Sequence, residues 1–145
     1  MIPELENLTP DERALLLKAP ALVSVAATGA ATTLSEARKA DALHLAHLKT
    51  FSADPRLRPY YQEAERRFAE NLEQALQQYS PYTEENRAAL NRQILEVNAL
   101  LGKLEPGYGL ALHHSLSSYA THVKKADRNI LENFIFPLPV PGLND

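Results

Sequence analysis

Residues 90–104 read LNRQILEVNALLGKL, and their apolar side chains recur at every third or fourth position. The members of this ladder are Leu90, Ile94, Val97, Leu101 and Leu104. An α-helix brings such positions onto one face, so the ladder predicts a helix whose apolar face packs against a core. An independent coiled coil needs at least three or four heptads, and this ladder spans about two. It therefore predicts packing inside a helical body.

Two helix-start signals lie earlier in the chain. Thr9-Pro10-Asp11-Glu12 combines a capping hydroxyl, a proline suited to the first turn and two acids that favour the positive end of a helix, so a helix is predicted from about residue 10. Pro20 is predicted to kink or split this helix because it lacks an N–H, and Gly29 suits its end. Thr33-Leu34-Ser35-Glu36 is a second capping box, which predicts a helix that runs to about Thr50.

Three further helices are predicted in the second half of the chain. Arg58 to Tyr79 reads as one amphipathic helix, whose apolar face is formed by Tyr61, Ala64, Phe68, Leu72, Ala75, Leu76 and Tyr79. Thr83 can cap the next helix, which contains the ladder and is predicted to reach Leu104 before Glu105-Pro106-Gly107 ends it. The same spacing then recurs at Leu112, Leu116, Tyr119, Val123 and Ala126. No strand-like alternation of useful length interrupts this pattern.

The connectors between these helices are short, which favours antiparallel neighbours around a shared core. A chain of 145 residues also has the usual length of one domain. We therefore predict an all-α fold, a single-domain bundle of about five to six helices over residues 1–145. Residues 134–145 are predicted to form an extended, Pro-rich apolar C-terminal tail.

Composition excludes several classes of function. The chain has no cysteine, which excludes disulfides, thiolate metal sites and a cysteine nucleophile. Its 18 acidic and 15 basic side chains are spread along the sequence, so no nucleic-acid partner is expected. The longest uncharged stretch, Ala19 to Ser35, is made of small residues and interrupted by Pro20 and Gly29, so no membrane span is expected. The acidic start is the opposite of a secretory signal, and a cytoplasmic location is expected.

One predicted helix carries two polar residues on its apolar face. At 100° per residue, Asp41 and His44 fall in the same arc as Leu34, Ala37, Ala40, Leu45, Leu48 and Phe51. A buried carboxylate needs a hydrogen-bond partner, and a histidine three positions later can supply one, so a structural Asp–His pair is the first interpretation. The second interpretation adds His47 and Glu36, at the edge of the arc, to form a set of nitrogen and oxygen ligands for a divalent metal. The spacing of three differs from the spacing of four in the usual zinc helix.

Two other features read as structural. His114 and His122 fall on the polar side of the last predicted helix, with His113 at the border, so these histidines are expected in solvent. Gly107-Tyr108-Gly109 has the glycine spacing of a phosphate loop but no preceding strand and no suitably placed lysine, so it is predicted to be a turn before a helix.

The C-terminal tail is a candidate interaction segment. Its apolar side chains include Phe134, Phe136, Leu138 and Val140. Prolines at alternate positions exclude a helix there and favour an extended chain. Because so much exposed apolar surface is unusual in a soluble monomer, the tail is expected either in a groove of its own bundle or on another chain.

Three stretches near the start of the chain are similar to the start of the TerB-like (tellurite-resistance-associated) helical proteins. They are LTPDERALLLKAP at 8–20, AATG at 26–29 and LSE at 34–36, and ALHLAHLKT at 42–50 fits the same pattern. The resemblance implies a helical bundle associated with metal-stress responses, with a divalent ion as a candidate ligand. Thr28 occupies the place of an aspartate in that family's Asp-Gly element, and residues 30–33 contain no carboxylate. A calcium or magnesium site at this loop is therefore not expected, because these ions need several oxygen ligands.

The sequence thus favours a non-enzymatic TerB-like helical module, a protein-interaction or stress-response scaffold. A protein partner or a homo-oligomer is the expected mode of action, because no nucleophile motif or catalytic constellation is evident. The alternative is a divalent-metal-binding protein or a metal-dependent enzyme that uses Asp41, His44, His47 and Glu36. No cofactor other than such a metal is expected.

Overall fold

The computed structural model of the chain describes residues 2–28, 54–79 and 83–123. Within these ranges the regular structure is entirely helical, which confirms the all-α prediction. The described α-helices are α1 (Pro10–Thr28), α2 (Arg58–Arg66), α3 (Phe68–Tyr79), α4 (Glu84–Leu101) and α5 (Pro106–Val123). Short 3₁₀ turns at Pro3–Leu5 and Pro55–Leu57 precede α1 and α2. The predicted helix over residues 34–50, the end at Gly29 and the tail from residue 134 lie outside the described residues.

Helix α1 lies at the centre of the described bundle and contacts each of the other four helices. All eight residues from Ala19 to Ala26 are buried, so this part of the helix is covered on every side. Such burial requires small and apolar side chains around the whole helix, which the sequence APALVSVA supplies. Ser24 is the only hydroxyl residue in that stretch, and its Oγ donates to the Pro20 carbonyl at 2.8 Å.

The predicted capping box at the start of α1 is formed. The Glu12 amide donates to Thr9 Oγ1 at 3.1 Å, and the Thr9 amide donates to Glu12 Oε1 at 2.9 Å. The other carboxylate oxygen of Glu12 accepts a hydrogen bond from Lys103 Nζ at 2.6 Å. This contact, followed by the bond from the Thr9 amide, lowers the pKa of Glu12. The first turn of α1 is thereby tied to the connector between α4 and α5.

Pro20 does not split α1, so that part of the prediction is wrong. Proline has no N–H, so the carbonyl of Leu16, four residues earlier, lacks its helical donor. The hydroxyl of Tyr60 in α2 donates to this carbonyl at 2.6 Å, within the core. A side chain 44 positions away therefore supplies the hydrogen bond that Pro20 cannot make.

The predicted single helix from Arg58 to Tyr79 is divided at Arg67, whose φ of −117° and ψ of 14° are not helical. The two halves meet different neighbours, since Tyr61 of α2 reaches Ser115 of α5 while α3 packs along α1. The predicted apolar face is nevertheless correct: it is buried across the break at Tyr61, Ala64, Phe68, Leu72, Ala75 and Tyr79. The break at Arg67 changes the direction of the chain, but the same apolar face of α2 and α3 is directed at the core.

Helices α4 and α5 form a hairpin. Thr83 caps α4 as predicted, with its Oγ1 accepting from the Asn86 amide at 3.1 Å. The helix ends at Leu101, three residues before the predicted end, because Leu104 N donates to Leu101 O in a tighter i to i−3 turn. Leu104 remains buried in the connector.

The start of α5 corrects the prediction for Gly107-Tyr108-Gly109. These residues belong to the first turn of α5, which begins at Pro106, and Glu105 accepts hydrogen bonds from the Gly107 and Tyr108 amides at 3.0 and 2.8 Å. A Cβ at Gly109 would lie 2.7 Å from the Leu101 carbonyl oxygen. Glycine at position 109 thus permits the close approach of α4 and α5.

Candidate functional site

The residues predicted to form a site from the sequence alone lie outside the described residues. This applies to the metal-ligand set Glu36, Asp41, His44 and His47. It also applies to the tail residues Phe134, Phe136, Leu138 and Val140. Among residues 2–28, 54–79 and 83–123, no group of three or more histidine or acidic side chains is arranged to hold a metal ion. No helix in the same ranges is long and apolar enough to cross a membrane.

Helix α5 contains His113, His114 and His122, and the structure describes the side chains of the first two. His114 is exposed, as predicted, whereas His113 is half-buried. Burial, followed by the neighbouring His114, lowers the pKa of His113 and so favours its neutral imidazole. The two ring centroids lie 6.0 Å apart, and these rings belong to no metal-binding cluster of the described residues.

An apolar groove lies where the start of the chain meets α1 and α2. We call it the N-terminal groove; its lining consists of Ile2, Leu5, Pro10, Ala14 and Leu17 together with Arg13 and Glu63. Its volume is about 530 Å³ and it is open to solvent on one side. Ligand sites typically enclose about 300–1,000 Å³ and combine mainly apolar walls with a few polar groups. Both properties match this groove.

The local sequence explains how the groove forms. The 3₁₀ turn at Pro3–Leu5 brings Leu5 back over Ile2, with the Leu5 amide donating to the Ile2 carbonyl at 3.0 Å. Both side chains are buried and form the floor. Positions 10, 13, 14 and 17 of α1 have the i, i+3, i+4, i+7 spacing of one helix face and form a wall.

This wall is only partly covered by the rest of the described chain. Pro10 and Ala14 are exposed and Leu17 is half-buried, although the next turns of α1 are fully enclosed. The spacing of these positions was a signal available in the sequence. It was missed because the residues before Thr9 were not assigned to a packed turn.

The charged residues of the lining are of opposite sign. Arg13 is half-buried on α1, and Glu63 is exposed on α2. Glu63 also pairs with Arg66 one turn along α2, at 3.8 Å, in an exposed contact of the kind that contributes little to stability. Because the two charges balance, the lining as a whole favours an uncharged ligand.

Buried tyrosines occupy the core beside the groove. Tyr60 donates to the Leu16 carbonyl, as described above. Tyr61 Oη lies 2.5 Å from Ser115 Oγ, and Tyr119 Oη lies 2.6 Å from Ser24 Oγ. These bonds join α2 to α5 and α1 to α5, so they fix how three helices sit against one another.

The tyrosine hydroxyls are poor candidates for proton transfer. Burial raises the pKa of Tyr60, Tyr61 and Tyr119 above the usual value of tyrosine, so they remain protonated at neutral pH. The Tyr108 hydroxyl is buried and has no hydrogen-bond partner among the described residues. Since catalysis by tyrosine needs a pKa nearer the working pH and a substrate within reach, this cluster reads as structural.

A second polar cluster lies at the start of α5. Arg56 pairs with Asp54 at 3.4 Å and Glu105 at 3.9 Å, and its Nη2 lies 3.4 Å from the Gly107 carbonyl oxygen. The Arg56 amide lowers the pKa of Asp54, and the Gly107 and Tyr108 amides lower that of Glu105. Asp54 and Glu105 therefore both accept hydrogen bonds from backbone amides, at the turn before α2 and at the start of α5. Arg56 pairs with both acids, so this cluster has a structural role in joining the two helix starts.

Comparisons of this chain with protein-family models, with curated proteins and with solved structures found no match. The TerB-like resemblance stays a prediction from the sequence. The fold class is all-α, and the N-terminal groove is the candidate site of the described residues.

Proposed function

We propose that this chain is a non-enzymatic, cytoplasmic helical module of the TerB-like type, which acts by binding an extended, uncharged apolar segment of a partner protein. The observation that carries this proposal is the N-terminal groove, with its apolar lining and its balanced pair of charges. Its biological setting would be that of a stress-response scaffold, as the resemblance implies.

The size of the groove favours a peptide segment with several apolar side chains. A cavity of about 150 Å³ is enough to hold one benzene ring. The groove, at about 530 Å³, has room for roughly three groups of that size. Apolar side chains at alternate positions of an extended segment share one face, so two or three of them can enter together.

The proposal is tested by blocking the groove at an exposed helical position. Ala14→Glu places a carboxylate against the apolar wall, and Ala88→Glu makes the same change at an exposed site of α4. Fluorescently labelled ten-residue peptides, some apolar and uncharged and others charged, are titrated into the full chain and into both variants by anisotropy.

We expect the uncharged apolar peptides to bind, with affinity reduced about tenfold or more by Ala14→Glu and unchanged by Ala88→Glu. A buried carboxylate without a partner readily accounts for the 1.4 kcal/mol that a tenfold loss represents. Binding that is equal in the two variants, or that is stronger for the charged peptides, would refute this role of the groove. Thermal melts of both variants check that the fold is retained.

A further inference from the structure

We propose that the N-terminal groove is occupied within the same molecule by residues 134–140 of this chain, which must leave before a partner segment can bind. This inference rests on the proposed binding role of the groove. Residues 134–140 then compete with the partner segment for the groove, so their release controls whether a partner can bind.

The chemistry of the segment matches the groove. Residues 134–143 read FIFPLPVPGL and contain no charged side chain. In an extended chain, Phe134, Phe136, Leu138 and Val140 lie on one face, because side chains alternate. The prolines between them restrict neighbouring residues to extended geometry, which lowers the conformational entropy lost on binding. The groove offers an apolar wall and volume for two or three side chains of this row.

The position of the groove relative to α5 follows from contacts at both ends of the bundle. Glu12, which lies between groove residues Pro10 and Arg13, accepts a hydrogen bond from Lys103, three residues before the start of α5. Tyr119, near the other end of α5, reaches Ser24 in the second half of α1. The groove therefore lies beside the start of α5, and the chain beyond α5 leaves from the opposite end.

The chain is long enough to return. Helix α5 has 18 residues and so a length of about 27 Å. One neighbouring helix adds a lateral step of about 8–10 Å, which makes the direct distance roughly 30 Å. Ten residues, 124–133, separate α5 from Phe134, and they span at most about 36 Å at roughly 3.3 Å per residue. Because this reach requires residues 124–133 to be extended almost throughout, the effective concentration is lower than for a slack tether, and the segment depends on its own apolar contacts with the groove.

The absence of native cysteine allows a direct test on the full chain. One cysteine is placed in the segment beside its apolar face, by Gly142→Cys, and a second is placed at the groove, by Glu63→Cys. The matched control carries Gly142→Cys with Ala88→Cys. Both partner sites are exposed helical positions. Ala88 lies near the start of α4, at the same end of the α4–α5 hairpin as the end of α5. It is also nearer than Glu63 to Gly142 in the sequence. Without a docked segment, the control disulfide should therefore form at least as fast as the groove disulfide.

Under mild oxidation at low protein concentration, we expect the disulfide between positions 63 and 142 to form within one molecule at least fivefold faster than the control disulfide. Phe136→Asp should abolish this preference, because it puts a charge on the face that enters the groove. Ile135→Asp, which makes the same change on the opposite face, should retain it. Equal rates for the two cysteine pairs, or a groove disulfide found only in dimers, would overturn occupancy within the molecule.

The two proposals fail in different ways. In the anisotropy assay, the full chain carrying Phe136→Asp should bind the uncharged apolar peptides at least tenfold more tightly than the unmodified chain, because the competing segment has been released. Equal binding by the two chains would overturn the internal occupant while leaving the partner-binding role intact. Absence of peptide binding to both chains would refute the partner-binding role itself.

Discussion

The hydroxyl of Tyr60 performs a task that can be isolated by one substitution. It donates to the Leu16 carbonyl, which lost its helical donor to Pro20, and both groups are buried. Tyr60→Phe keeps the ring and its packing but removes this donor. A buried acceptor left without its bond costs about 1–3 kcal/mol, so we expect the free energy of unfolding to fall by that amount. For a domain of this size, each 1 kcal/mol corresponds to about 2–4 °C in the melting temperature.

A second substitution tests the reason for this loss. Pro20→Ala restores an N–H that can bond the Leu16 carbonyl, so Tyr60→Phe should cost less in that background. We expect the cost of Tyr60→Phe to differ by about 1 kcal/mol or more between the two backgrounds, which is the coupling energy of the cycle. Urea denaturation followed by circular dichroism measures all four chains, and equal slopes of the transitions would show that the unfolded state is comparable.

Tyr79→Phe provides the control for removing a tyrosine hydroxyl. Its ring is also buried, but its hydroxyl bonds none of the described residues, so its loss should change stability by no more than about 0.5 kcal/mol. The reasoning is refuted if Tyr60→Phe is equally harmless, or if its cost is the same with proline and with alanine at position 20. Either result would mean that the Leu16 carbonyl does not depend on Tyr60.

Three further predictions concern the same fold. Gly109→Ala should destabilise the chain by about 1–3 kcal/mol in urea denaturation, because its Cβ would meet the Leu101 carbonyl oxygen at 2.7 Å. Gly107→Ala, whose Cβ would meet only flexible side-chain ends at 3.2–3.3 Å, should be neutral or stabilising, and a reversed order would contradict the packing described for α5. Thr9→Ala should cost about 1 kcal/mol through the lost cap of α1, measurable as a lower melting temperature, and an unchanged value would argue against the capping box. Because burial raises the pKa of Tyr60 and the other core tyrosines, the native state retains phenolic protons that the unfolded chain loses above about pH 10. Below about pH 10, the free energy of unfolding should not depend on these groups. Above it, the free energy of unfolding should fall by about 1.4 kcal/mol per pH unit for each buried tyrosine. Urea denaturation between pH 9 and 11.5 measures this, and a constant free energy of unfolding would contradict their burial.

The signals that predicted the fold correctly are local ones. Leu90, Ile94, Val97 and Leu101 are all buried, because a spacing of three and four residues leaves a helix no other way to hide its apolar side chains. The caps at Thr9 and at the start of α4 were also predictable, since each depends on residues within one turn. Helix type and core-facing side therefore follow from short stretches of sequence.

The errors arose where a distant residue decides the outcome. At Pro20, the Leu16 carbonyl that lacks its helical donor is bonded by Tyr60, which no local pattern connects to Leu16. The division at Arg67 leaves the apolar spacing intact, so periodicity could not reveal it. The end of α4 at Leu101 is likewise set by the turn into α5 and not by the apolar ladder, which continues into the connector.

The candidate site was predictable only in part. One helix face at positions 10, 13, 14 and 17 can be read from the sequence, but its role as a wall depends on the turn at Pro3–Leu5 and on Glu63 of α2. Such a groove exists only after three separated segments meet. The apolar segment from Phe134 was recognisable from composition alone, because its prolines and uncharged side chains are contiguous.

The placement of the groove on α1 gives its occupant a thermodynamic consequence. Helix α1 forms one wall of the groove and also contacts the four other helices that the structure describes, so a ligand that requires this wall binds only the folded chain. Such a ligand stabilises the fold by mass action.

An occupant from the same molecule has a fixed effective concentration, so its contribution to the melting temperature does not change when the protein is diluted. An occupant from a second copy would make the melting temperature fall on dilution. Melts of the unmodified chain and of Phe136→Asp over a hundredfold range of protein concentration therefore separate the two: a constant difference between the chains supports the internal occupant, and a difference that disappears on dilution contradicts it.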